Sequence, residues 1–507
     1  MITIKHSHDD FMQADSAAYA ILVPQDTAAT DSDVAALGNN FFPSLQALFQ
    51  ERGFTGKAGS SVVIPVSSKS KSIRHLIFLG LGKPESSGHF SLEQLRRVLA
   101  RVVRIAKTHK INEVAVRMLS AKKFNANEQD NAREATIAMY MADYLFDDFK
   151  TKSADEMPPS ITITLFGGYD DTKAFQEGVR VGTIIARGVN QARHWVDMPP
   201  SLLTPVDLST KAEEIAQKHK LECKIFSEQE IKQMGMGGLA GVSAGSHQDC
   251  QLAILEYKTS AKDAPTLAFV GKGITFDSGG LSIKPANAME TMKDDMAGAA
   301  AVICTMQVIA ELKPNVNIIG ITPLAENLPS GTATKPGDIV RFYNGKTAEV
   351  RNTDAEGRLI LADALSYVVK HYKPDAIVDL ATLTGACSYA LGPFFAGLMS
   401  SHNDLVEKIE HAAHDSGDRV WRLPLDPDYA VAVKSEVADL CNIGNAKYRA
   451  GAITAAFFLK SFVDEVPWAH VDIAGPAYDV PDMPYYGSGA TGFGVRLLTR
   501  LAMNWKK

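Results

Sequence analysis

Short apolar runs, rich in β-branched residues, recur through the first third of the chain at 18–23, 61–65, 76–81, 113–118 and 161–166. Runs of this length, bounded by polar and turn-forming residues, predict strands. Between them, 91–109 carries Leu95, Leu99, Val102, Val103 and Ala106 at helical spacing, with Ser91 placed to cap it and Gln94 three residues on. A second helix is predicted over 130–149. Strands alternating with helices imply a sheet covered by helices. The polar stretch 151–159 contains Pro158-Pro159, but a strand-like run follows it, so the domain boundary is expected near 167–173. A connecting helix is expected over 175–196, ended by Met198-Pro199-Pro200. Thr204-Pro205 then opens another helix, with proline in its first turn.

The second part repeats this rhythm more strongly. Residues 267–270, 317–322 and 376–380 are near-continuous apolar runs, the signature of buried strands. Helices are predicted at 297–312 and 359–372. The expectation is an α/β protein: a smaller N-terminal α/β domain at 1–170, a connecting helix at 171–197, and a larger catalytic α/β domain at 198–507, with a central mixed sheet flanked by helices.

Composition narrows the class. The 507 residues are 46% apolar and 22% charged, as in ordinary soluble globular proteins. A net charge of -6 gives no general reason to expect nucleic acid or an anionic membrane as the main partner. The five cysteines are widely spaced, with no CxxC, which argues against a disulfide framework and for a reducing compartment. No basic leader precedes the short apolar run near the N-terminus, and no run approaches the roughly 18 apolar residues of a membrane span. A cytoplasmic location is therefore expected.

The candidate chemistry lies just past predicted strand ends, where α/β enzymes place it. Lys272 and Asp277 follow the run ending at Val270, among glycines that let backbone approach a ligand. Lys284 comes shortly after. Asp295 precedes the alanine-rich helix, while Asp354 and Glu356 precede the helix starting near Leu359. Their alternate spacing would point both carboxylates to one side of an extended segment. Carboxylates converging in a crevice repel one another unless cations neutralise them. Two divalent metals bridged by carboxylates form a recognised hydrolytic arrangement. Oxygen-rich ligation suits Mn or Mg, and Zn also tolerates it. A lysine ligates metal only as the neutral amine; Lys272 is the candidate, burial and a nearby metal both favouring proton loss. Lys284 would keep its charge and stabilise an oxyanion, and Arg358 offers a fork for an anion.

Plainer readings bear on several of these residues. Lys293 is expected to be solvated, Asp294 to be a helix-start residue favoured by the dipole, and His470 to be a packed structural histidine. The spacing of a phosphate loop is absent around Gly271-Lys272-Gly273. H-E-x-x-H and G-x-S-x-G are absent as well.

The stretches 270–285, 292–298, 352–359 and 381–386 together resemble the leucyl aminopeptidases, dinuclear-metal peptidases also called the aminopeptidase A family. Asn352-Thr353-Asp354-Ala355-Glu356-Gly357-Arg358 is the most specific of these motifs. The resemblance implies that Asp277 and Glu356 bridge two metals, that Lys272 and Asp295 complete the tighter one, and that Asp354 completes the exchangeable one. It implies that Lys284 contacts the substrate carbonyl and that Arg358 holds a bicarbonate ion acting as general base, a role no side chain here obviously fills. Met292, Thr382 and Ala490 would line the pocket for the first side chain, and backbone at Leu383 and Gly385 would hold the peptide. Similar proteins are homohexamers. Asp197 stands where asparagine is expected. The implied activity is release of N-terminal residues, preferably leucine and other apolar ones, from peptides. The competing reading is a DNA-binding or regulatory protein on the same scaffold, against which the acidic balance counts.

Overall fold

The computed structural model describes residues 2–67, 73–151, 160–167 and 171–506. Pro158-Pro159 and residues 168–170 of the expected boundary lie outside the described residues. The chain divides into two compact units, Met1–Arg187 with Asp482–Gly487, and Gly188–Pro481 with Ser488–Lys507. The division falls inside one helix, Thr172–Asp197.

The first unit is built on six strands: β1 (Ile2–Ser7), β2 (Ala18–Pro24), β3 (Ser61–Ser67), β4 (Ile73–Gly82), β5 (Glu113–Arg117) and β6 (Ile161–Phe166). They lie in the order β1-β6-β5-β2-β4-β3, parallel except for the β3–β4 pair. Five of these strands are the predicted runs. The sixth, β1, escapes the apolar criterion because its residues alternate with Lys5 and His6. The helix Leu92–Thr108 has the expected capping box, Ser91 with Gln94. The next helix, Glu128–Asp143, is shorter than the predicted 130–149. It stops where Lys107 Nζ donates to the Asp143 carbonyl at 2.5 Å, satisfying a backbone acceptor that a C-terminal turn leaves open.

The second unit carries a nine-stranded sheet. Its strands are β7 (Glu222–Phe226), β8 (Gln251–Tyr257), β9 (Thr266–Gly271), β10 (Gly273–Asp277) and β11 (Asn317–Asn327), then, beyond a small separate sheet, β14 (Ala376–Ala381), β15 (Ala396–Ser400), β16 (Val420–Arg422) and β18 (Trp468–Asp472). The small sheet joins β12 (Ile339–Arg341), β13 (Thr347–Glu349) and β17 (Leu440–Cys441). The large sheet runs β16-β15-β18-β14-β9-β11-β8-β7, with β10 alongside β11. Its centre, β18-β14-β9-β11, is parallel, and antiparallel pairs lie on either side. Strands β9, β11 and β14 are buried, which is why they read as near-continuous apolar runs.

Two differences from the sequence expectation matter for the site. Residues 273–277, past the predicted strand's end at Val270, form a further strand, β10, and β11 runs five residues past Thr322 because β10 pairs with its second half. The helix Ala297–Leu312 is as predicted. Within the apolar stretch Ala286–Leu312, the most apolar 18-residue window is 78% buried inside the fold, so it is core. Helix Gly357–Tyr372 packs on the same sheet through Leu359, Ile360, Leu361 and Leu365.

Candidate active site

Because the four central strands are parallel, their carboxyl ends open on one edge. There the chain leaves β9 at Lys272, β14 at Thr382 and β18 at Ile473, while β10 and β11 end at Asp277 and Asn327. A cleft of about 430 Å³ opens at this edge, lined by Lys272, Asp277, Lys284, Met292, Asp294, Asp295, Asp354, Glu356, Arg358, Thr382, Leu383 and Gly385, among others. Eleven of the twelve residues singled out from the sequence for site roles are therefore brought together. Ala490 is not among the lining residues. It is buried, its N–H donates to Asp197 Oδ1 at 2.9 Å and its carbonyl accepts from Arg193 Nε at 2.7 Å.

Local packing explains how each group arrives. Gly271 and Gly298 pass within the space of a Cβ: a methyl on Gly298 would lie 2.2 Å from the Leu380 carbonyl oxygen. This contact brings the start of helix Ala297–Leu312 against the strand ends. The Lys272 carbonyl accepts from Ala299 N, and the Asp295 carbonyl accepts from Ile274 N. Asp295 and Lys272 are thereby adjacent, with Lys272 Nζ 2.7 Å from Asp295 Oδ1, 2.9 Å from Glu356 Oε1 and 2.8 Å from the Thr382 carbonyl. Lys284 Nζ lies 2.8 Å from Asp277 Oδ2 and 2.5 Å from Asp354 Oδ1.

Asp354 and Glu356 do share a site, but not by strand alternation. The segment is a turn: the Asp354 N–H donates to Asn352 Oδ1 at 2.8 Å, and Glu356 already has helical φ and ψ as the cap of helix Gly357–Tyr372. One oxygen each of Asp277, Asp354 and Glu356 falls within 4.8 Å of the others.

Residues that sequence reasoning passed over hold this arrangement. Asn327 Nδ2 donates to Asp277 Oδ1 at 2.8 Å and to the Thr353 carbonyl at 3.0 Å. Thr353 Oγ1 donates to the Gly279 carbonyl and accepts from Ser282 N, tying two loops together. Asn442, fully buried, accepts from Arg351 N, donates to the Asn352 carbonyl, and accepts from Arg358 Nη1 at its own carbonyl. The signal available for Asn327 and Asp472 was a polar residue at the carboxyl end of an apolar strand.

The electrostatics are those of too many acids in too little water. Burial pushes Asp277 up to about 6, with the Glu356 charge adding to it and Lys284 and Lys272 opposing. Burial likewise raises Asp295 and Asp354, and takes Asp294, half-buried in the cleft wall, up to about 7. Burial also works against Glu356, yet Lys272 and Lys284 hold it below its ordinary value. Burial pushes Arg358 down to about 10. For Lys272 burial favours the neutral amine, as expected from sequence, but Asp295, Glu356 and Asp277 outweigh it and the ammonium is held above its usual range. Lys293 is not simply solvated: its Nζ donates to the Asp197 carbonyl at 2.7 Å. His470 is fully buried, its Nδ1 2.6 Å from Asp379 Oδ1, which fits a packed histidine.

Two buried carboxylate oxygens, Asp295 Oδ2 and Glu356 Oε2, have no hydrogen-bond partner among the described residues. Unpaired buried charge is costly, and divalent cations relieve it. The donor set therefore fits metal.

An acid-rich cleft at the carboxyl ends of parallel strands, in an α/β protein, is the setting of a metal-dependent enzyme. Residues 190–499 match the catalytic domain of the cytosol aminopeptidase family, and residues 20–153 match that family's N-terminal domain. A probable cytosol aminopeptidase from Nostoc punctiforme is 40% identical over 99% of both chains, and one from Geobacter sulfurreducens is 39% identical over 96% of this chain and 97% of its own. Among solved structures, a tomato leucine aminopeptidase variant superposes with a TM-score of 0.87 at 32% identity, covering 99% of this chain and 96% of that one. The bottromycin maturation enzyme BotP, in complex with Mn, gives 0.83 at 30% identity over 96% and 99%. The chain belongs to the cytosol aminopeptidase family. It is a metal-dependent aminopeptidase, a peptide hydrolase.

Proposed function

We propose that the protein removes N-terminal residues, preferentially leucine and other apolar ones, from peptides, using two divalent metal ions (Mn or Zn, with Mg compatible) and bicarbonate as general base. The observation that carries this reading is the set of converging, partly unpaired carboxylates at the cleft floor. Asp277 and Glu356 would bridge the metals, Lys272 and Asp295 would complete one site, and Asp354 the other. When bound, such ions supply an activated water and polarise the peptide carbonyl. Lys272 serves as a ligand only after losing its proton, and the carboxylates that now hold the ammonium are the same ones that would turn to the cation. Lys284, charged and at the cleft wall, would stabilise negative charge on the substrate carbonyl oxygen. Arg358 is buried, and its Nε has no partner among the described residues; it would bind the bicarbonate. Met292 and Thr382 would line the pocket for the first side chain, with backbone at Leu383 and Gly385 holding the peptide. Ala490, expected beside them, is not among the residues that line the cleft.

Self-association into a homohexamer is part of the same reading. Tyr389, 94% exposed, and Trp421, 60% exposed, provide apolar surface for it, and sedimentation tests it. A cytoplasmic location agrees with five cysteines that form no disulfide. A nucleic-acid or membrane partner gains nothing from a cleft floored by carboxylates, whose charge repels phosphate. The direct test is hydrolysis of leucyl-p-nitroanilide and a panel of aminoacyl substrates by protein loaded with Mn or Zn, before and after chelation. Protein that leaves every substrate intact when loaded would refute the reading.

A further inference from the structure

Asp472 ends β18 with its side chain completely buried. Its neighbour across the sheet is Ala381, the last residue of β14. Four donors converge on its carboxylate. Oδ1 accepts from the N–H groups of Leu383 at 3.1 Å, Thr384 at 3.4 Å and Ala474 at 3.2 Å; Oδ2 accepts from Thr384 Oγ1 at 2.6 Å. All three of these residues line the cleft. One carboxylate therefore fastens the loop leaving β14 to the loop leaving β18, two walls of one site.

This attachment has a directional consequence. The Leu383 and Thr384 N–H groups are turned inward, away from the cleft, so the backbone groups left for a ligand in this loop are the Leu383 carbonyl and the N–H of Gly385, which is exposed at the cleft. The Thr384 hydroxyl, having given its proton to Asp472, accepts from Cys387 N at 3.1 Å and caps helix Gly385–Leu391. The same loop carries Thr382, whose carbonyl accepts from Lys272 Nζ and whose hydroxyl donates to Asp295 Oδ1 at 2.8 Å. Only an acceptor fits where the three N–H groups meet at Oδ1.

We infer that Asp472 is a positioning residue for the aminopeptidase reaction, which sets the Leu383–Gly385 backbone in register with the peptide without touching it. This rests on the proposed activity. A charge-assisted acceptor shared by several backbone N–H groups holds a loop far more firmly than neutral bonds do, and small displacements of a positioning loop are costly in rate.

The test is steady-state kinetics on leucyl-p-nitroanilide and Leu-Gly-Gly, with metal content and melting temperature measured on each variant. Asp472→Ala is expected to raise KM at least tenfold and to lower kcat while retaining its metal. Asp472→Asn keeps an oxygen for the three N–H groups and is expected to recover KM to within about threefold of wild type. A purely structural residue would lower the active fraction, and so kcat, while leaving KM unmoved. Asp472→Ala protein that folds with KM within twofold of wild type overturns the inference. If that variant does not fold, Thr384→Val, which removes one of the four donors, is expected to raise KM at least threefold, and an unchanged KM overturns the inference equally. A wild type that cleaves neither substrate refutes the aminopeptidase reading, and this inference falls with it; an active wild type with unmoved variants refutes this inference alone.

Discussion

Lys272 Nζ lies 2.9 Å from Glu356 Oε1, and both side chains are almost fully buried. Glu356 thus holds the buried ammonium and also belongs to the carboxylate trio with Asp277 and Asp354. Glu356→Ala removes both functions. It leaves Lys272 with Asp295 as its remaining ion-pair partner, and the expected result is loss of bound metal with a fall in kcat/KM of at least about 100-fold. Metal analysis and kinetics on the purified variant decide this; retained metal and turnover would show the ligand set to be wrong.

Gly357 follows Glu356 directly, and a Cβ there would sit 2.5 Å from Lys272 Cε and 2.7 Å from its Nζ. Lys272 is clamped by Asp295, Glu356 and the Thr382 carbonyl, so it cannot swing aside cheaply. Gly357→Ala is expected to destabilise the fold by about 1–3 kcal/mol and to reduce activity by displacing Lys272. Activity at wild-type level would show that the lysine position is not critical.

Lys284 is the one cleft lysine that is not fully enclosed, with its side chain 14% exposed. Its ammonium is held above the usual range: burial opposes the charge, but Asp277 and Asp354 outweigh it. Lys284→Met keeps the length and removes the charge. The expected fall in kcat is about 10²–10³, the size found when one oxyanion donor is lost, with little change in KM. A variant whose KM rises while kcat holds would assign Lys284 to ground-state binding instead.

The first unit carries its own buried charge cluster. Glu134 lies 2.8 Å from Arg96 Nε and 2.7 Å from Arg133 Nε. Burial works to raise its pKa, but the two guanidinium groups win and bring it from 4.5 down to about 2. A depressed carboxyl stabilises the fold fully above its unfolded pKa and loses that contribution as pH falls toward the folded value. The contribution, of the order of 3 kcal/mol, should therefore fade between about pH 4.5 and pH 2. Thermal unfolding across this window should fall more steeply for wild type than for Glu134→Gln. Parallel curves would remove Glu134 as the cause.

Much of the architecture was legible as pattern. The five apolar runs of the first unit, the capping box at Ser91 and the buried strands at 267–270 and 376–380 follow from local propensity and burial, which leave their mark on neighbouring residues. The short strands β1 and β10 did not show. The first is amphipathic at a sheet edge, and the second is a glycine-flanked segment that becomes a strand only because β11 runs beside it.

The site divides in the same way. The types and order of Lys272, Asp277, Lys284, Asp295, Asp354, Glu356 and Arg358, set among glycines at strand ends, marked metal chemistry in the sequence by itself, because a chain buries a cluster of charged groups beside apolar strands only where something will neutralise them. Their pairing was decided by tertiary structure. That Lys272 meets Asp295 and Glu356, that Asp354 turns back through an Asn352 side chain, and that Asn327, Asn442 and Asp472 hold the walls all depend on strand order and on close contacts such as Gly271 against Gly298. Those are relations between residues far apart in the chain, and no local preference encodes them.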